Sequence, residues 1–120
     1  GGLPMYQLKI TKRCTQQSQI KFKKRKVLVI SARVHAGETC SSFIMQRIMF
    51  ELTSQSEKYD QLLQNYIIKL IPMINVDGVA IGNARASLVG LDLNRRWNNP
   101  NPIIHPEIFF LKRLLKRLNH

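Results

Sequence analysis

Residues 27–42 read VLVISARVHAGETCSS, and their pattern changes character half-way. Val27 to Ala32 is a continuous run rich in β-branched residues, the signature of a strand buried on both faces in a parallel sheet. From Arg33 the run gives way to a polar turn containing Gly37. Thr39 or Ser41 then suits the N-cap of a helix, with Phe43, Ile44, Ile48, Met49 and Leu52 recurring at helical spacing. A strand passing directly into a helix opens an α/β unit, and ligands of such units bind beyond the carboxyl ends of the strands. His35 and Glu38 stand at that position.

The flanking sequence continues the alternation. Met5, Leu8 and Ile10 predict a short strand over 5–11, and TKRCTQQSQIKFKKRK (11–26) a polar loop or hairpin tip. Within that tip KFKKRK (21–26) reads as solvated charge rather than a localisation or polyanion-binding patch. A second helix is expected at about 57–65, then a strand at 66–71 closed by Pro72 and the turn-forming NVDG of 75–78. Residues 79–106 have little periodicity. From 106 to 119 a helix is expected, with Pro106 in its first turn and Ile108, Leu111, Leu114, Leu115 and Leu118 as its apolar stripe. Its FFLKRLLKRLN run has the look of a basic membrane-surface or calmodulin-type helix, but the stripe is more simply read as covering the sheet. The expected fold class is α/β, with a mixed, mainly parallel sheet flanked by helices.

A chain of 120 residues with 44% apolar content allows one domain with a modest core. Nineteen Lys and Arg against seven Asp and Glu leave a formal charge of +12, which attracts nucleic acid, anionic membrane or acidic polypeptide without choosing among them. Cys14 and Cys40, with no CxxC spacing, read as free thiols. No signal-peptide core opens the sequence and no apolar run nears the roughly 18–20 residues of a membrane span, so a soluble, cytoplasmic protein is expected. The Gly-Gly start and the uncapped LKRLLKRLNH end read as a segment truncated at both ends.

Two constellations carry chemistry. His35 and Glu38, folded together by a turn at Gly37, offer zinc a nitrogen and an oxygen ligand; catalytic zinc sites use three protein ligands and leave a fourth position open. Taken alone, the HxxE spacing is a weak signal, and the same four residues are more simply read as a histidine bonded locally and a glutamate at the positive end of the following helix. The second constellation is GNARASLVGLDLNRRW (82–97), a long loop with Leu88, Leu91, Leu93 and Trp97 to pack it down. It presents Arg85, Asp92, Asn94, Arg95 and Arg96, and asparagine beside arginine suits the grip of a carboxylate. Arg96 reads as a solvated surface residue.

Together these segments resemble the zinc metallocarboxypeptidases, most closely their cytosolic carboxypeptidase branch, which includes enzymes that trim glutamate from tubulin tails. SARVHAGETCSS (31–42) is similar to that branch's Ser-Ala-Arg-Val-His-Pro-Gly-Glu segment. PMINVDGVAIGNARASLVGLDLNRRW (72–97) is similar to its Pro-Met-Leu-Asn-Pro-Asp-Gly, Gly-Asn-x-Arg-x-Ser-Leu and Asp-Leu-Asn-Arg-x-Trp series. The resemblance spans about Gly2 to Leu118 and implies the N-terminal portion of a zinc carboxypeptidase catalytic domain.

It further implies that His35 and Glu38 ligate Zn2+, that Arg85 polarises the scissile carbonyl and steadies the oxyanion, and that Asn94 and Arg95 hold the substrate's terminal carboxylate. Asp92 would orient the loop or a ligand histidine. The implied partners are an acidic polypeptide, such as a tubulin C-terminal tail, and the rest of the catalytic domain, ahead of nucleic acid and with no membrane. Cytoplasmic placement near microtubules or cilia goes with that substrate.

Ala36 and Val76 replace two prolines of the branch, which loosens both turns without shifting the register. The family's third zinc ligand and its general-base glutamate lie on later segments that this chain does not contain. His105 and His120 are poor substitutes, one before the last helix and one at its end.

Overall fold

In the computed structural model, residues 2–12, 25–54 and 56–118 are described. Most of the expected hairpin tip, with Cys14 and the first four residues of KFKKRK, lies outside them, as does His120. Three strands, β1 (Leu8–Ile10), β2 (Lys26–Ser31) and β3 (Tyr66–Ile71), form one sheet in the order β1-β3-β2. Strand β3 pairs parallel with β2, Lys26 opposite Tyr66 and Ser31 opposite Ile71, and antiparallel with β1, Leu8 opposite Leu70. The sheet is therefore mixed, as expected. Helices α1 (Cys40–Thr53) and α2 (Glu57–Asn65) make the crossover from β2 to β3 that parallel strands require.

Side-chain alternation along the strands divides the core in two. Ile68 and Leu70, with Ile30, face Met45, Leu52 and Leu63 of the crossover helices. Ile71 and Val29 point the other way, onto Ile108 and Leu111 of α4 (Pro106–Leu118) and onto Leu93 and Trp97 of the long loop. Helices thus cover both faces, and the loop is built into the second core. Among the described residues no helix is long and apolar enough to cross a membrane, and Cys40 is a free, exposed thiol.

Three expectations are corrected. Strand β2 is not buried on both faces: among the described residues it lies at the edge of the sheet, with Val27 and Leu28 36% and 43% exposed. The buried stripe of α1 runs through Met45, Ile48, Met49 and Leu52, while Phe43 and Ile44 face outward; both choices satisfy a helical period, and the direction of the sheet selects one. NVDG is not a simple turn, because residues Val76–Ala80 form a short helix, α3, capped by the side chain of Asn75.

Past the last ladder pair the two parallel strands remain joined. Ile74 N–H donates to the Ala32 carbonyl and Asn75 N–H to the Arg33 carbonyl, both at 2.9 Å. Arg33 then turns the chain with φ of 55°, a left-handed conformation costing a non-glycine residue about 1–2 kcal/mol. Its buried side chain is held by Ser42 Oγ at 3.1 Å. The turn that follows carries His35 and Glu38 past the carboxyl end of β2.

Candidate active site

The His35 turn and the 82–97 loop meet through backbone. Gly37 N–H donates to the Ala84 carbonyl at 2.7 Å. Asn75, fully buried, donates from Nδ2 to the Ala86 carbonyl and accepts from Gly78 N–H, each at 3.0 Å. Asn83 Nδ2 binds the carbonyls of Ala86 and Ser87 at 3.1 Å. With Leu93 wholly buried beneath it, the loop is an ordered platform, although it contains only one turn of 3₁₀ helix, Leu93–Arg95.

Asp92 is the junction of the side chains. Its Oδ1 accepts from His35 Nε2 at 3.1 Å and from Asn94 N–H at 2.9 Å, and its Oδ2 accepts from Arg85 Nε at 2.9 Å. Burial pushes the Asp92 carboxyl upward, but the hydrogen bonds from Arg85, Asn94 and His35 outweigh it and hold the group below its usual range. An ionised carboxylate only accepts, so His35 Nε2 carries the proton. The other ring nitrogen, Nδ1, lies 2.8 Å from Glu38 Oε1, so each ring nitrogen faces a carboxylate oxygen.

At 2.8 Å the two atoms are at hydrogen-bond distance; around a tetrahedral zinc, with bonds of roughly 2.0–2.1 Å, they would stand about 3.3 Å apart, a small opening of the same turn. This donor set fits a zinc ion, with a carboxylate bound to the far nitrogen of the ligand histidine in the usual manner. His35 is buried while Glu38 is about half-exposed. Among the described residues no group of three His, Cys, Asp or Glu is placed to hold a metal ion. His105 is taken up by its own turn, where Nδ1 accepts from Asn101 N–H at 3.1 Å.

The remaining candidates are arranged around the same junction. Arg85 spends Nε on Asp92 and makes no other side-chain hydrogen bond among the described residues. Asn94 is exposed, its Oδ1 accepting from Trp97 Nε1 at 3.0 Å. Arg95 is exposed with no carboxylate partner among the described residues, where its one side-chain hydrogen bond is a long contact of 3.4 Å to the Asn94 carbonyl. Arg96 departs from expectation: it is half-buried, with Nε enclosed and unpartnered, because the 3₁₀ turn directs it inward as Arg95 turns out.

A family model for zinc carboxypeptidases matches residues 1–105. The chain belongs to the zinc carboxypeptidase family. Cytosolic carboxypeptidase 1 of Danio rerio is 50% identical over 97 residues, 81% of this chain and 8% of that protein. Cytosolic carboxypeptidase 6 of Caenorhabditis elegans is 43% identical over 96 residues, 80% of this chain and 21% of that protein. A Pseudomonas aeruginosa metallo-carboxypeptidase solved in complex with (2-guanidinoethylmercapto)succinic acid superposes with a TM-score of 0.84 at 27% identity, over 97% of this chain and 29% of that one. A putative carboxypeptidase A from Shewanella denitrificans shares the fold, with the same TM-score of 0.84 at 24% identity and 98% of this chain covered. This zinc carboxypeptidase segment thus spans a small fraction of its relatives' length.

Sequence reading placed Gly37 in the turn and Trp97 in the packing of the loop, but it missed Asn75, and it missed the hydrogen bonds by which Gly37 and Trp97 hold the site. The residues they serve lie 3 to 11 positions away or across the fold, as in the Asn75 bond to Ala86 and the Gly37 bond to Ala84. The glycine within HAGE and the asparagine opening NVDG were the available signals, and both read equally well as ordinary turn residues.

Proposed function

We propose that the protein to which this chain belongs is a zinc-dependent metallocarboxypeptidase that releases C-terminal residues, with glutamate on acidic tails such as those of tubulin as its substrate. The observation that carries this reading is the junction at Asp92, which gathers His35, Glu38, Arg85 and the Asn94–Arg95 turn around one exposed site. His35 and Glu38 would hold the zinc, which when bound supplies Lewis acidity and a water of lowered pKa. Asp92 keeps the His35 proton on Nε2. Arg85, oriented through Nε, offers its terminal nitrogens to a carbonyl oxygen that gains charge. Asn94 and Arg95 grip the terminal carboxylate and so restrict cleavage to a chain end. The +12 charge favours approach of glutamate-rich tails, and cytoplasmic, microtubule- or cilium-associated placement follows from that substrate.

The third metal ligand and the general base would come from the rest of the catalytic domain. Because the described residues contain only two converging metal donors, a second reading is a non-catalytic basic module that binds tubulin tails or another polyanion without cutting. The intact parent protein, assayed for glutamate release from a glutamate-tailed peptide, separates the two. Release abolished by a chelator, restored by zinc and lost in His35→Ala is the expected result. Peptide binding with no release under any metal condition would replace the first reading by the second.

A further inference from the structure

Asn94 has a side-chain amide with two ends of opposite chemistry, and only its NH2 can serve a carboxylate. Which end faces outward is decided by Trp97, whose indole Nε1–H donates to Asn94 Oδ1 at 3.0 Å. Indole nitrogen is a donor and never an acceptor, so a flipped amide would set N–H against N–H. The bond therefore holds the oxygen inward and leaves the NH2 free to point away from the ring.

Trp97 is itself anchored twice. Its ring packs against the core of Ile71, Ile74, Leu93, Ile108 and Leu111. Its carbonyl, with that of Asn98, accepts from Lys112 Nζ of α4, at 2.6 and 2.7 Å. An ammonium bridging two consecutive carbonyls ties the loop to a helix whose buried face is part of the same core, and rigid support of this kind is what a gripping site requires.

We propose that Trp97 and Lys112 are positioning residues of the carboxylate clamp: Lys112 fixes the Trp97 backbone, and the Trp97 indole fixes the Asn94 amide with its donor end toward the ligand. The inference rests on the reading of Asn94 and Arg95 as that clamp. It assigns to two residues outside the motif's ligand-gripping pair a role in discriminating a free C-terminal carboxylate from its neutral amide.

The test uses the intact, zinc-loaded parent protein and calorimetric titration with two probes, N-acetylglutamate and its α-carboxamide. Wild type is expected to prefer the carboxylate. Trp97→Phe keeps the ring and loses the N–H, and should lower that preference about 5-fold, the worth of one neutral hydrogen bond, by weakening the carboxylate probe alone. Lys112→Met should act in the same direction, and Lys112→Arg should restore the preference because guanidinium donates to both carbonyls. Full wild-type preference in both Trp97→Phe and Lys112→Met would overturn the inference. Equal weakening of both probes would also overturn it, since that marks a scaffold role only. A wild type with no preference would instead remove the clamp reading on which the inference stands.

Discussion

Gly37→Ala concentrates the site's geometry into one methyl group. A Cβ at Gly37 would lie 2.6 Å from the Ala84 carbonyl oxygen and 3.1 Å from Ala84 Cα. Both neighbours are backbone, so no side-chain rotation relieves the contact. Reaching even the shortest tolerated approach requires a separation of at least about 0.4 Å between the His35–Glu38 turn and the segment bearing Arg85. Overpacking of this kind costs roughly 1–3 kcal/mol. Loss of the Gly37 N–H bond to the Ala84 carbonyl adds about 1 kcal/mol. Displacing reacting groups by 1 Å costs about 100-fold in rate, so a shift near half that size should lower kcat/KM about 10-fold. The assay is glutamate release by the intact parent protein, with thermal unfolding alongside. Gly90→Ala is the control: Gly90 has a φ of 75° but open space around its Cβ, so it should cost only about 1 kcal/mol of backbone strain and leave kcat/KM near wild type. If Gly37→Ala matched Gly90→Ala in both activity and stability, the argument that the turn and the Arg85 segment are held in contact through Gly37 would be wrong.

Three further outcomes are expected. Arg95→Lys should cut activity on a glutamate-tailed peptide well below that of Arg96→Lys, because a point charge loses the bidentate fork at a carboxylate; equal activities would move the clamp away from Arg95. Asn75→Leu should destabilise the parent by roughly 1–3 kcal/mol in denaturant melts, since it strips the buried Gly78 N–H of its side-chain acceptor and leaves the Ala86 carbonyl with Asn83 Nδ2 alone, and a loss under about 0.5 kcal/mol would show that the amide is dispensable. The isolated 120-residue chain should bind zinc weakly by calorimetry and release no glutamate, having two metal donors where catalytic sites use three. Tight zinc binding with turnover would mean that another residue of this chain completes the site.

The parts of the molecule that were legible in the sequence are those where neighbours in the chain determine the outcome. Strand Tyr66–Ile71 and helices Glu57–Asn65 and Pro106–Leu118 follow from local periodicity and from Pro106, and they form within a residue of expectation. The HxxE spacing needs only a tight turn to bring His35 and Glu38 together, and the ordered Asp-Leu-Asn-Arg series was recognisable without coordinates. Choices that depend on what lies across the fold were not legible. Periodicity left open which stripe of α1 is buried, because Phe43 and Ile44 satisfy the helical repeat as well as Met45 does, and only the position of the sheet excludes them. The composition of β2 states that its side chains are apolar, not that it occupies an edge. Asp92 is 57 residues from His35, and no local pattern specifies that its two oxygens are divided between that imidazole and Arg85. The same holds for Lys112, which reaches back 15 residues to the Trp97 carbonyl. A sequence motif names the donors and acceptors of a site, whereas the pairing of each donor with its acceptor is settled by the backbone approach of segments that packing brings together.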